Sequence, residues 1–329
     1  MVDYAKPWLS IDEQIDKLAA RGLIVPDRTA AAHLLRTVGY YRLTGYLYPL
    51  RASESYTEED GRTRVRVLSA YHEGTSIEDA ARLIDFDRGL RLLVLDAVER
   101  IEIALRTRLG YTIGQVGAFA HEDIAIYVPA FTGAHTDPMG GSSLPSRLDE
   151  WLMRVQERRA GSDEAFVAHF RDKYDDQMPI WALTELLELG HLSRLYAGLR
   201  NDLATQIATG FGVPTKRLMA SWIATINYVR NIAAHHARLF NRKLVTAPKR
   251  PRPEQTPLLA HLSQEDAPKQ FGCYSALAVM AYLLRTIDAD NGWATRVADH
   301  LRDFPATPFL DTGSMGVASG WIDQELWRT

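Results

Sequence analysis

Apolar residues recur along this chain at helical spacing, and no run of alternating β-branched residues marks a strand. Ser10 with Glu13 forms a capping-box pattern, and Ile11, Ile15 and Leu18 follow on one face until Gly22 stops the turn. Asp27, after Pro26, caps a second helix carrying Ala31, Leu34, Leu35 and Val38. These two helices and the aromatic stretch Tyr40 to Pro49 predict a small helical N-terminal subdomain over residues 1–70. Residues 52–75 are polar and mixed, with a turn at His72 to Thr75. Ser76 caps a helix expected to pause near Asp85. A long helix then runs from Asp87 to Gln115, with Leu90, Leu93, Val94, Ala97, Ile101 and Leu105 on its buried stripe.

The stretch Pro129 to Pro145, rich in Gly, Ser and Thr, has loop composition. Helices are expected to resume at 146–159, 163–173 and 179–189, two more fill 191–209, and Thr215 opens one that continues to Phe240. Four prolines between Pro248 and Pro257 exclude regular helix there. An apolar helix near 274–288 and another after Asn291 precede a tail containing Trp321 and Trp327. The fold class is all-α, with a larger helical domain over residues 75–329.

Composition narrows the function classes. The 329 residues carry a formal net charge of −3, so any nucleic-acid site must be local. The lone Cys273 excludes an intramolecular disulfide and fits a reducing compartment. The N-terminus shows no signal-peptide core, and the apolar stretch Tyr274 to Leu284 falls short of the roughly twenty residues a spanning helix needs. A cytoplasmic protein away from membranes is expected.

One segment concentrates chemistry. Between Arg230 and Arg252 there are seven Lys or Arg residues and no Asp or Glu, a basic run suited to a polyanion. Arg238, Arg242 and Lys243 are its candidate RNA contacts, with Arg42 a further one from the tyrosine-rich stretch. Within the run Asn231 and His235 are four apart and share a helix face, whereas Arg230 and His235 diverge by about 140°. They meet at one phosphate only through the reach of the arginine, a local distortion or a second copy of the chain. RNA carries its own nucleophile, the 2′-OH, so cleavage needs a proton acceptor, a proton donor and a charge stabiliser. Histidine and arginine supply these without metal. The residues alone leave open that His235 and His236 are ordinary partnered histidines and that Arg238 and Arg242 form a solvated face. Glu99, Glu102 and Arg106 share a face of the long helix, as either an ion pair between helices or carboxylate support for His235 and Arg230. There is no His-x-x-x-His spacing, cysteine pair or phosphate-binding glycine loop, so no metal and no cofactor is expected.

Several segments together resemble the Abi-like (abortive infection, AbiD/AbiF-type) family. They are Lys6-Pro7-Trp8, Tyr40-Tyr41-Arg42-Leu43-Thr44-Gly45-Tyr46, Phe86-Asp87-Arg88, Glu99-Arg100-Ile101-Glu102 with Arg106, Pro179-Ile180-Trp181, and Arg230-Asn231 with His235-His236, Arg238-Leu239 and Asn241-Arg242. The likeness covers residues 5–245. Ala233 stands where a cysteine is usual, Phe240 for a tryptophan and Thr44 for a serine. The resemblance implies a HEPN-like helical bundle in which Arg230 and His235 are the motif pair, Asn231 is their polar companion and His236 has no assigned role. It also implies a homodimer whose two motifs face one cleft. The function expected is a metal-independent endoribonuclease in phage defence or toxicity, leaving 2′,3′-cyclic phosphates. The alternative is a non-catalytic RNA-binding or toxin–antitoxin module, with an antitoxin or regulatory RNA as a further partner.

Overall fold

Capping accounts for where the first helices begin. The Ser10 hydroxyl accepts from the Glu13 amide at 3.3 Å and the Glu13 carboxylate accepts from the Ser10 amide at 2.7 Å, which starts α1 (Ile11–Ala19). Asp27 accepts from the Thr29 and Ala30 amides and starts α2 (Arg28–Val38). α3 (Tyr40–Leu47) divides the tyrosine cluster, burying Tyr46 while Tyr41 and Tyr48 stay exposed. This computed structural model describes residues 3, 5–58, 60–136, 143–263 and 272–328, and helix predominates in it.

The polar stretch that gave no strand signal is an antiparallel hairpin, β1 (Arg51–Thr57) with β2 (Thr63–Tyr71), pairing Glu54 with Arg66 and Thr57 with Thr63. It departs from a purely helical chain because both of its faces are mostly exposed, so neither needs the apolar alternation that announces a strand. The expected pause near Asp85 is absent, and α4 (Ile77–Gly114) is one unbroken helix. Leu83, Phe86 and Leu90 carry the buried stripe through that point. Asp87, the expected start of the long helix, lies inside α4, buried and accepting from the Tyr46 hydroxyl at 2.6 Å.

Beyond α4 the stretch read as loop holds a short α5 (Pro129–Thr132) and two-residue strands β3 (His135–Thr136) and β4 (Ser143–Leu144), which pair; Met139 to Ser142 lie outside the described residues. There follow α6 (Arg147–Ala160), α7 (Ala165–Tyr174), α8 (Ile180–Leu186), α9 (Leu189–Gly198), α10 (Asn201–Gly210), α11 (Lys216–Ala234), α12 (Cys273–Ile287) and α13 (Trp293–Arg302). α8 stops short of Gly190 because Leu187 is extended. No helix among the described residues is long and apolar enough to cross a membrane.

The chain divides into two units, Met1–Leu90 with Asp299–Ser314, and Arg91–Ala298 with Met315–Thr329. In the first, the His300 ring stacks on Phe86 with centres 4.3 Å apart. In the second, three buried tryptophans each donate an indole N–H to a carbonyl: Trp151 to His191, Trp222 to Lys249 and Trp293 to Leu93, at 2.9–3.0 Å.

Burial also sets a pH dependence. His121, 3% exposed, has its pKa pushed down to about 4, by desolvation first and by the Arg159 guanidinium second. Histidine in the unfolded chain titrates near 6.5. Between these values the unfolded chain binds a proton that folded His121 refuses, so stability is full above about pH 6.5 and is lost as pH falls towards 4. The difference is about 3 kcal/mol for this side chain. Urea unfolding at neutral pH and near pH 4.5 should show that loss, and His121→Gln should lose distinctly less than the parent. A variant with the parent's pH dependence would remove His121 as its source.

Candidate functional site

α11 begins where the Thr215 hydroxyl accepts from the Leu218 amide at 3.2 Å. It buries Met219, Trp222, Ile223, Ile226 and Val229 along one side. Its remaining face carries Asn227, Arg230 and Asn231, spaced so that they share one or two turns.

The helix ends at Ala234 and does not continue to Phe240. His235 keeps near-helical angles, φ −88° and ψ 15°, but His236 turns to φ +58°. The His236 amide then donates to the Ala233 carbonyl at 3.1 Å and the Ala237 amide to the Ile232 carbonyl at 3.0 Å. These two bonds are the Schellman arrangement that closes a helix around one left-handed residue, usually glycine. Histidine tolerates that conformation better than most residues, at a cost of about 1 kcal/mol or more. No Gly or Pro marks the stop, which is why periodicity runs past it.

This ending sets the geometry of the candidate residues. His235 is exposed at the carboxyl end of α11, and neither of its ring nitrogens has a hydrogen-bond partner among the described residues. Arg230, half-buried, donates from Nη1 to Asn231 Oδ1 at 3.2 Å, so guanidinium and amide are joined in the last turn before His235. His236 is exposed beside them. One imidazole and one guanidinium thus occupy a single helix end. That end is the negative pole of the helix dipole and favours the cations that follow it.

The basic run is less local than its sequence suggests. Arg242 Nε donates to the Arg238 carbonyl at 3.0 Å, which keeps Arg238, Arg242 and Lys243 in the turn after the helix. The chain then returns along α11: the Lys249 amide donates to Ser221 Oγ and the Trp222 indole to the Lys249 carbonyl, both at 2.9 Å. Ser221 lies about 20 Å along the helix from His235. The charges form a strip, not a patch.

Glu102 and Arg106 form their bonds elsewhere. They pair with each other at 2.5 Å, both largely buried, and Arg106 Nε donates to the Leu187 carbonyl at 3.1 Å. Among the described residues neither bonds to Arg230, Asn231 or His235. The pair clamps α4 to the turn before α9, and the start of α9 places Gly190 against Asn227. Glu99 is exposed on α4. Arg42 belongs to the other unit, half-buried, with its guanidinium 5.8 Å from the centre of the Tyr46 ring. Among the described residues no group of three or more His, Cys, Asp or Glu could hold a metal ion. Asn227 is the neighbour that sequence reading passed over. Its spacing of four before Asn231 and eight before His235 was the available signal.

The sequence profile of the Abi-like proteins matches residues 33–241, more than half of the chain. The protein belongs to the Abi-like family. The match runs from α2 to the turn after α11, and so takes in Glu102, Arg106 and the whole Arg230–His236 segment. The family's name links this Abi-like protein to abortive infection, a form of phage defence. Among curated proteins and among solved structures no significant match is found.

The strained histidine can be tested separately from its neighbour. His236→Gly should raise unfolding stability by up to about 1 kcal/mol, because glycine enters the left-handed region without penalty. His236→Ala should not. Chemical denaturation of the two variants compares them, and equal stabilities would mean that no strain is held at this residue.

Proposed function

We propose that this Abi-like protein is a metal-independent endoribonuclease of the HEPN type acting in phage defence. The observation that carries the reading is the exposed His235 at the end of α11, with Arg230 and Asn231 joined in the turn before it. His235 takes the proton of a ribose 2′-OH, whose oxygen attacks the adjacent phosphorus. Arg230 stabilises the negative charge of the phosphorane with its planar donors. The bond to the 5′-oxygen breaks, a second acid protonates that oxygen, and the products are a 2′,3′-cyclic phosphate and a 5′-hydroxyl.

The second acid comes from another copy of the chain. Glu102 and Arg106 are occupied with each other and with Leu187, so one chain offers a single exposed motif histidine besides the strained His236. A two-fold axis near His235 brings the second imidazole and guanidinium to the same phosphate and doubles the basic strip. Purified protein in EDTA should cut RNA, and His235→Ala should lose at least a hundredfold in rate while remaining folded. Mixing His235→Ala with Arg230→Ala chains should restore part of the activity if each site draws on both copies. Full activity in a protein whose solution mass is that of a monomer would refute the shared site.

The second reading, an RNA binder without cleavage, draws on the length of the basic strip, since binding needs the arginines but not the histidine. Both readings require the strip. Neutralising Arg238, Arg242 and Lys243 to Gln should flatten the dependence of log affinity on log salt by about 2, because single strands release about 0.7 counterion per phosphate contact. An unchanged slope would place the RNA elsewhere. Cleavage lost with affinity retained in His235→Ala separates nuclease from binder.

A further inference from the structure

A second group of arginines gathers away from the α11 motif, in the groove between α6 and α9. On α6, Arg147, Arg154 and Arg158 are separated by seven and four residues, which sets them within about 40° of one another on a single ridge. Arg194 on α9 lines the other wall of a cavity of about 310 Å³, which Arg147 and Arg154 also line. Its floor is apolar, made by Phe131, Trp151 and Ala197.

The four guanidiniums are exposed, and among the described residues none has a hydrogen bond or an ion pair. Glu150 lines the same cavity, one turn from both Arg147 and Arg154, yet pairs with neither. Arg147 opens the helix, at its positive end, where a cation is disfavoured by the dipole. Arg159 is different, being held by Asp176 at 2.8 Å. In a chain of net charge −3, three unpaired arginines lining one cavity, with Arg158 one turn beyond Arg154 on the same ridge, are a local excess of positive charge over the single carboxylate of Glu150.

The walls are fixed. The Trp151 indole donates to the His191 carbonyl at 3.0 Å and ties α6 to α9. The Phe131 ring lies so close to Gly198 that an added Cβ there would stand 2.6 Å from it. Burial lowers the pKa of His191; Glu188 opposes this, and Arg194, Arg154 and Arg158 add to the lowering. The same helix serves both regions, since Gly190 meets α11 while Arg194 and Ala197 face the groove.

We propose that the α6–α9 groove is a second RNA-binding site, in which Arg147, Arg154, Arg158 and Arg194 hold the phosphodiester backbone of a single strand over the apolar floor. Guanidinium forks match phosphate oxygens, and the Phe131–Ala197 floor gives an unpaired base an apolar surface. The inference rests on the reading of the protein as one that acts on RNA, but not on His235 being catalytic.

The test uses the full chain and a short single-stranded RNA that is 2′-O-methylated throughout, which cannot be cut through its 2′-hydroxyls. Replacing Arg147, Arg154 and Arg194 by Gln should weaken binding at least tenfold at low salt and flatten the salt slope by about 2. A charge-matched control, Arg36→Gln with Arg171→Gln and Arg217→Gln, should leave the slope as it was. Ala197→Glu, which places a carboxylate at an exposed position in the groove, should reproduce the loss with no arginine removed. Thermal midpoints close to the parent's establish that the variants are folded. Parental affinity and slope in both groove variants overturn the proposal, as does an equal loss in the control. Weakened binding of AMP with RNA binding intact also overturns it, because the site would then take a free nucleotide. If the groove variants bind normally while neutralising Arg238, Arg242 and Lys243 abolishes binding, the groove fails and the α11 reading stands. Continued cleavage by His235→Ala defeats the catalytic reading without affecting the groove.

Discussion

A ten-residue helix is too short to persist alone in water, and α9 is held by donors from three other helices. Arg106 of α4 bonds to the Leu187 carbonyl just before it, Trp151 of α6 to the His191 carbonyl in its first turn, and Lys216 of α11 to the Leu199 carbonyl just after it. Two of the three donors are charged, and bonds from charged donors are roughly twice as strong as neutral ones. With both ends secured, α9 helps fix where α11 lies, because the two helices pack together, Leu192 and Leu195 of α9 and Ile226 and Val229 of α11 all being buried. The position of Arg230 and Asn231 follows from that packing.

The motif then depends on how α11 stops. A helix that continued through His236 would send Arg238 and Arg242 onward along the axis. The left-handed turn at His236 instead folds the chain over the helix end and drives Leu239 and Phe240 into the core. The Phe240 carbonyl accepts from the buried Cys273 thiol at 3.2 Å, which fixes the far side of the turn. Burial of two large side chains, each worth about 2 kcal/mol, outweighs the backbone strain at one histidine.

What could be read from the sequence divides along physical lines. Ser10, Asp27 and Thr215 were recognisable as caps because capping is local, a side chain meeting an amide two or three residues on. The buried stripe of α4 was recognisable because Leu90, Val94, Ile101 and Leu105 repeat through many turns. The hairpin was not, since its residues bury little on either face. The end of α11 was not, because histidine at a left-handed position has no counterpart in the patterns that glycine leaves. Arg230, Asn231 and His235 could be named from residue type and spacing. That Glu102 and Arg106 serve the α4–α9 joint depends on Leu187, some eighty residues away in the chain, and spacing within α4 carries no trace of it.

The hairpin has its own consequence. With Val65, Val67 and Tyr56 exposed and only Tyr71 at the end of β2 buried, a core bears on little of its alignment. Charge across the hairpin adds to the backbone ladder, where Arg66 meets Glu54 and Arg64 meets Glu58. Such pairs sit in water and are screened by ions within about a Debye length. The element is therefore addressed electrostatically: concentrated salt loosens its registry while the helices, held by packing, keep theirs. The same charged side chains protect its edges, since a second strand arriving from another molecule would have to match charges before it could match hydrogen bonds.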